Sequence, residues 1–242
     1  MTARSRASVP RGAAGQVKNL QAEGGVRANR TGRVNMKHIP NYLTAARILA
    51  GVLMFLFLAA AAGGVPFVSE SLTPETQFDL ERWALVLFVI ACITDFFDGW
   101  VARKLHATST WGAILDPIGD KILICGAILG LGALGPQPQA AIPFAVILFR
   151  EFAVSALREG AAPKGVKIPV TLLAKWKTTL QMVAIFAELL VGSWAAWGLP
   201  PDPEVLGNAT TVAHVLLWIA AAITFWTGAE YWHKAHKAIG DN

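Results

Sequence analysis

The sequence predicts an all-α integral membrane protein with six transmembrane helices and both termini in the cytoplasm. Of its 242 residues, 54% are hydrophobic and only 15% are charged, which is too apolar for an ordinary soluble domain of this length. Six apolar runs follow one another, and most approach the roughly 20 residues that cross a bilayer core as a helix. The connecting segments alternate between basic and non-basic, and basic segments face the cytoplasm, so the number of spans is even.

The chain begins with a basic segment, residues 1–36, which has no hydrophobic period and only one acidic residue, Glu23. This composition predicts a disordered tail, which we expect to lie near anionic lipid headgroups. The hydrophobic sequence starts directly after Met36, so this residue is a candidate physiological start. Residues 37–242 are predicted to form the membrane domain, and no second, soluble domain is expected.

The six apolar runs give the order of the predicted helices. They lie near residues 41–62, 83–102, 117–134, 141–157, 172–197 and 211–232. The fourth run is interrupted by Arg150 and Glu151, so it is either a short span or one that turns these charges toward protein. Residues 63–80 and 198–208 carry acidic charges only, which places them on the side opposite the cytoplasm.

The segment between the second and third runs, TDFFDGWVARKLHATSTWGAILDPIGDK, is the most informative part of the chain. Its four aspartates are Asp95, Asp98, Asp116 and Asp120. The members of each pair are three or four residues apart, so on helices each pair shares a face. The turn between the pairs is short, which predicts antiparallel neighbouring helices with the two pairs facing each other. Pro117 biases its predecessor away from helical geometry, so we expect the third helix to start or bend there.

Four carboxylates at the ends of membrane helices are costly unless a counter-charge neutralises them. Pairing with Arg103, Lys104 and Lys121 is one possible source, but structural pairing does not require the glycines that stand nearby. Convergent carboxylates offer the hard oxygen ligands that Mg²⁺ or Mn²⁺ prefers. Two such cations can polarise a phosphoryl group and stabilise both the attacking and the leaving oxygens. The sequence therefore predicts a membrane-embedded, metal-dependent enzyme.

Small residues accompany the aspartates. Gly99 and Gly112 have no side chain and Ala102 has a small one, so a substrate can approach the helix backbone closely at these positions. Arg103 follows directly, and its planar guanidinium suits pairing with a phosphate oxygen. These features favour a site that binds a phosphorylated ligand against the helices.

The stretch from Asp95 to Asp120 resembles the signature of the CDP-alcohol phosphotransferases, D-x2-D-G-x2-A-R-x8-G-x3-D-x3-D, and every fixed position is present. A long pattern of this kind is far more specific than a lone glycine motif. Three further segments look like those of bacterial phosphatidylglycerophosphate synthases: IPNYLTAARI at 39–48, FREFAVSALRE at 149–159 and LAKWKTTLQM at 173–182.

The resemblance implies six transmembrane helices, a homodimer and a polar cavity open to the cytoplasm. It implies that the four aspartates hold two divalent cations, Mg²⁺ or Mn²⁺, and that Asp120 is the general base. The implied reaction transfers the phosphatidyl group of CDP-diacylglycerol to the sn-1 hydroxyl of glycerol 3-phosphate, which gives phosphatidylglycerophosphate and CMP. The implied location is the bacterial inner membrane, in contact with membrane lipids.

A nucleotide site is also expected from the resemblance and from the residues near the motif. The residues expected at the CDP site are Asn41, Thr44, Gly99, Ala102, Arg103 and Gly112. Arg47, one turn beyond Thr44 on the first helix, is expected to face the same cavity. Asn41 has an alternative role as the cap of that helix.

A phosphorylated acceptor needs a cationic pocket of its own. The candidates near the cytoplasmic face are Arg150, Arg158, Lys167, Lys175 and Lys177. Arg150 is the strongest candidate, because an unpaired arginine within an apolar run is energetically costly and so indicates a functional role. Its alternative role is an ion pair with Glu151 or Glu188.

Other functions share parts of this pattern. The nearest alternative is the same chemistry with inositol phosphate, serine or phosphatidylglycerol as acceptor, because the signature is common to all of these enzymes. A divalent-cation transporter is a second alternative, since membrane carboxylates also line ion pathways. Transport sites usually lie near the midplane between repeated halves, and this chain has no evident internal repeat. An inactive scaffold protein is a third alternative, and no nucleic-acid partner is expected.

Overall fold

The computed structural model describes the backbone of residues 39–105, 110–135, 137–161 and 172–240. Side chains are described for residues 42–95, 115–135, 137–161 and 176–237. The long helices are α1 (Ile39–Ala61), α2 (Pro74–Leu105), α3 (Thr110–Leu134), α4 (Pro138–Ala161), α5 (Leu172–Gly192) and α6 (Pro203–Gly240). No strand occurs in these residues, so the predicted all-α architecture with six helices is confirmed. The basic tail and Met36 lie outside the described residues.

Several helices extend beyond the apolar runs that predicted them. α2 begins at Pro74, ahead of its run, and α6 continues past its run to Gly240. α3 begins at Thr110 and contains Pro117 in its interior, so the helix does not start at Pro117, and the alternative of a bend there stays a prediction. A proline removes one backbone hydrogen bond and crowds the preceding turn, but packing against neighbouring helices can hold the helix through it.

The fifth predicted run is interrupted near its end. α5 ends at Gly192, and a separate 3-10 turn, Ala195–Trp197, follows it. Gly198 closes this turn with a φ of 62°, in the left-handed region that glycine adopts without steric cost. The Arg82 guanidinium donates to the Ala196 carbonyl, which ties the turn to α2.

Four segments within the described residues are long and apolar enough to cross a bilayer. They are Tyr42–Ala61, Leu115–Leu134, Pro138–Ala161 and Pro203–Lys237. The chain is therefore an all-α integral membrane protein, as the composition predicted. α2 and α5 pack among these spans, and whether they also cross the bilayer stays a prediction.

α1 is the helix around which the first half of the bundle is built. It packs along both α2 and α3, whereas direct contact between α2 and α3 is slight among the described residues. The two helices therefore touch only slightly in this part of the chain, and the closer antiparallel contact expected near the turn between them stays a prediction. In the second half, α6 packs along α4 and α5.

Glycines allow α1 and α3 to approach closely. A Cβ atom added to Gly126 would lie 3.0 Å from the Gly51 carbonyl oxygen, and one added to Gly130 would lie 2.5 Å from Leu58 Cδ1. Gly51 is crowded in the same way, because its added Cβ would lie 3.2 Å from Leu123 Cα. Small residues therefore set the separation of these two helices, as is common in membrane proteins.

Replacing Gly126 by valine should force α1 and α3 apart, because the added carbons meet a backbone oxygen that cannot rotate away. We expect a loss of about 1–3 kcal/mol of folding free energy, measured as a lower unfolding temperature of the purified protein in detergent. Gly132 lies on the same helix with open space around it, so Gly132→Val is the matched control. Equal unfolding temperatures for the two variants would contradict this account of the seam.

Candidate active site

Three of the four predicted aspartates lie around α1. Arg47 Nη1 lies 2.8 Å from Asp95 Oδ1 on α2 and 3.1 Å from Asp120 Oδ1 on α3. One turn earlier, the Thr44 hydroxyl donates to Asp116 Oδ1 at 2.5 Å. Asp98 follows Asp95 by about one turn, and its side chain lies outside those described. The structure thus brings carboxylates of both predicted pairs together across α1.

The Arg47 guanidinium is buried, whereas the two carboxylates that it contacts are partly exposed. The Arg47 side chain is 2% exposed, whereas those of Asp95 and Asp120 are 39% and 45% exposed. The carboxylates therefore lie between the guanidinium and the open side of the site. A buried arginine is tolerated when its charge is paired and hydrogen-bonded. These contacts therefore favour one position of α2 and α3 along the axis of α1.

Gly119 allows the polar residues of α1 to lie against α3. An added Cβ atom there would lie 3.7 Å from both Arg47 Cδ and Thr44 Cγ2, which is ordinary van der Waals contact, so these side chains pack directly beside Gly119. Thr44 is fully buried, and its hydroxyl holds Asp116. Its expected contact with CDP stays a prediction.

The donor set suits a hard divalent cation. Asp95, Asp116 and Asp120 supply carboxylate oxygens, which Mg²⁺ and Mn²⁺ prefer, and the contacts of Arg47 use one oxygen each of Asp95 and Asp120. Among the described side chains, no three acidic, histidine or cysteine residues form a complete cation site. Asp98, the fourth predicted ligand, is not one of those side chains. The chemistry of the residues therefore fits the predicted cations, and the arrangement of ligands stays a prediction.

A second charged group, which we call the Glu151 cluster, joins α4 to α5 and consists of Glu151, Arg150 and Lys177. Glu151 Oε1 accepts a hydrogen bond from the Lys177 ammonium and lies 3.4 Å from Arg150 Nη1. Arg150 therefore pairs with Glu151 and not with Glu188, the other partner considered for it. Lys177 is 4% exposed and lies within electrostatic range of Asp120. The cluster thus combines one carboxylate with two cationic side chains and carries a net positive formal charge.

The remaining predicted site residues are less directly described. Arg158, near the end of α4, donates to the Tyr231 hydroxyl at 3.1 Å, and its guanidinium lies 5.8 Å from the centre of that ring. It is therefore anchored to α6 and lies outside the Glu151 cluster. The predicted residues whose side chains lie outside those described are Asn41, Gly99, Ala102, Arg103, Gly112, Lys167 and Lys175.

The sequence pattern that defines the CDP-alcohol phosphatidyltransferases matches residues 37–226. The chain belongs to this family.

Similar relatives include three proteins named CDP-diacylglycerol–glycerol-3-phosphate 3-phosphatidyltransferase. The one from Cereibacter sphaeroides is 37% identical over 233 residues, which cover 84% of this chain and 97% of the relative. The one from Rickettsia typhi is 40% identical over 204 residues, with 84% and 98% covered. The one from Bacillus subtilis is 33% identical over 205 residues, again with 84% and 98% covered.

A buried polar seam joins α5 to α6 in this CDP-alcohol phosphatidyltransferase, and it is absent from the sequence-based predictions. It consists of the buried residues Gln181, Glu188 and Thr224 and the partly exposed His214. Glu188 Oε1 lies 3.9 Å from His214 Nδ1, and His214 Nδ1 is also 2.7 Å from the Thr210 carbonyl oxygen. Gln181 and Glu188 are seven residues apart and so share a helix face. This spacing is the sequence pattern from which the seam could have been predicted.

Replacing Glu151 by glutamine should destabilise this phosphatidyltransferase, because Arg150 and Lys177 would keep buried charges without a carboxylate. We expect a loss of about 3–5 kcal/mol of folding free energy, detected as a lower unfolding temperature in detergent. Adding Lys177→Met removes one of the two unpaired charges and should recover part of the loss. A double variant no more stable than Glu151→Gln alone would contradict this role of the cluster.

Proposed function

We propose that this chain transfers the phosphatidyl group from CDP-diacylglycerol to the sn-1 hydroxyl of glycerol 3-phosphate, and so forms phosphatidylglycerophosphate and CMP. The observation that carries the proposal is the group of aspartates on α2 and α3, joined through Arg47 at 2.8 Å and 3.1 Å. The names of the three relatives given above support the choice of substrates. The enzyme is a transferase of phospholipid biosynthesis.

A site between membrane helices suits both parts of CDP-diacylglycerol. The acyl chains would lie in the bilayer, and the cytidine would lie in a polar cavity on the cytoplasmic side. The residues proposed to bind the nucleotide are Asn41, Thr44, Gly99, Ala102, Arg103 and Gly112. The proposed ligands of two divalent cations, Mg²⁺ or Mn²⁺, are Asp95, Asp98, Asp116 and Asp120. When bound, the cations would neutralise the diphosphate and polarise the lipid-linked phosphorus.

Asp120 is the proposed general base. Its carboxylate is 45% exposed on the open side of the site, and the hydrogen bond from Arg47 to Oδ1 fixes its orientation. The proton of the sn-1 hydroxyl passes to Asp120 while the hydroxyl oxygen attacks the lipid-linked phosphorus. The bond between that phosphorus and the bridging oxygen of CMP breaks, and CMP leaves with the electron pair. Positioning and electrostatics supply most of the rate enhancement in such phosphoryl transfers.

The Glu151 cluster is the proposed site for the phosphate of the acceptor. Arg150 and Lys177 give it a net positive charge, and we propose that the acceptor places its phosphate there while its hydroxyl reaches Asp120. Arg158 and Lys175 are proposed to extend the positive surface toward the cytoplasm. This charge favours a phosphorylated acceptor over serine.

We further propose that the enzyme works in the bacterial inner membrane as a homodimer surrounded by membrane lipids. The three relatives named above come from bacteria. The alternation of charge between connecting segments supports cytoplasmic termini. The dimer rests on the resemblance in sequence to the family.

The choice of acceptor is tested with purified protein in detergent, CDP-dioleoylglycerol and either Mg²⁺ or Mn²⁺. CMP release is measured with glycerol 3-phosphate, inositol phosphate, serine or phosphatidylglycerol as acceptor. We expect metal-dependent release with glycerol 3-phosphate only. Release with another acceptor instead would retain the chemistry and overturn the proposed substrate. Folded protein that releases CMP with none of them would overturn the proposed reaction.

Replacing Asp120 by asparagine should reduce turnover by about 10²–10⁴-fold, because the site loses its general base. Binding of CDP, measured by calorimetry, should remain detectable, since the other aspartates are intact. Asp79→Asn is the matched control: this exposed aspartate pairs with Arg82 near the start of α2 and should tolerate the change. Near-normal turnover in Asp120→Asn would rule out its role as base.

A further inference from the structure

Arg47 supplies its charge from a helix that lies outside the aspartate motif. Its Nη1 atom contacts one oxygen of Asp95 and one of Asp120, which belong to different helices. Only 2% of its side chain is exposed, so the guanidinium cannot move into water unless α1 unpacks from α3. The positive charge is therefore fixed in place relative to both carboxylates.

A divalent cation at this site would bind the same carboxylates. Two positive groups that share carboxylates repel each other, and the repulsion is strong where little water separates them. Arg47 also cancels one of the three negative charges of Asp95, Asp116 and Asp120. The site should consequently bind cations less tightly than three unpaired carboxylates would.

We propose that Arg47 is a positioning residue that competes with divalent cations for Asp95 and Asp120. It weakens cation binding and, at the same time, holds both carboxylates in the orientation that turnover requires. The inference rests on the proposed metal-dependent phosphatidyl transfer. Its consequence is that full cation affinity is reached only when the diphosphate of the substrate adds negative charge, so cation and substrate tighten each other's binding.

The test compares Arg47→Gln with the wild type in two measurements. Mn²⁺ binding to the purified protein without substrate is followed by electron paramagnetic resonance, and turnover is followed as CMP release at saturating Mn²⁺. We expect Arg47→Gln to bind Mn²⁺ roughly tenfold more tightly, because a fixed repulsive charge is gone. We expect its turnover to fall by about tenfold or more, because the carboxylates lose their orientation.

Two further variants separate charge from geometry. Arg47→Lys keeps the charge, so its Mn²⁺ affinity should stay close to that of the wild type while turnover falls in part. Arg82→Gln removes an arginine that pairs with Asp79 near the start of α2, and it should change neither quantity. A purely structural role for Arg47 would lower stability and turnover in Arg47→Gln without tightening Mn²⁺ binding.

Unchanged or weaker Mn²⁺ binding in Arg47→Gln would overturn the inference. Should that variant fail to fold, Asp95→Asn is compared with the double variant Arg47→Gln/Asp95→Asn, whose site regains the wild-type balance of charge. The double variant should bind Mn²⁺ more tightly than Asp95→Asn, and the opposite result would overturn the inference. Tighter Mn²⁺ binding in Arg47→Gln, with no CMP release by the wild type, would overturn the proposed function alone. A wild type that binds no Mn²⁺ would overturn both.

Discussion

A group of carboxylates inside a bundle of membrane helices needs a fixed counter-charge, and Arg47 provides it. Without this guanidinium, the carboxylates of Asp95 on α2 and Asp120 on α3 would repel each other. With it, the two helices are joined through α1 by contacts of 2.8 Å and 3.1 Å. The packing of the first three helices and the chemistry of the site therefore both involve the ion pairs between the buried Arg47 and the partly exposed Asp95 and Asp120.

The second half of the bundle has the reverse arrangement of charge, in which one acidic residue pairs with two basic residues. Glu151 pairs with two cationic side chains, Arg150 and Lys177, so this half of the bundle carries a region of net positive charge. A negative region suits cations and, through them, a diphosphate, whereas a positive region suits a phosphate directly. Two regions of opposite sign would orient the two substrates of a transfer reaction differently, which fits the function proposed for this chain.

The features that could be predicted from the sequence depend on spacing within a short window. The apolar runs indicated the six helices, and the spacing of Asp95, Asp116 and Asp120 indicated that they converge. Arg47 lies 73 residues before Asp120 in the chain, so its pairing follows from helix packing that no local pattern encodes. The glycines that bring α1 against α3 determine that packing. Pro117 shows the same limit, because tertiary contacts override its local bias against helix.

The polar seam between α5 and α6 has a consequence for biosynthesis. By itself, α5, which is predicted to cross the bilayer, would present Glu188 and Gln181 to lipid, and α6 would present His214, so each helix would partition poorly alone. The two helices are adjacent in the chain and bury these groups against each other. They should therefore leave the translocon together as a hairpin, with α5 retained until α6 has been synthesised.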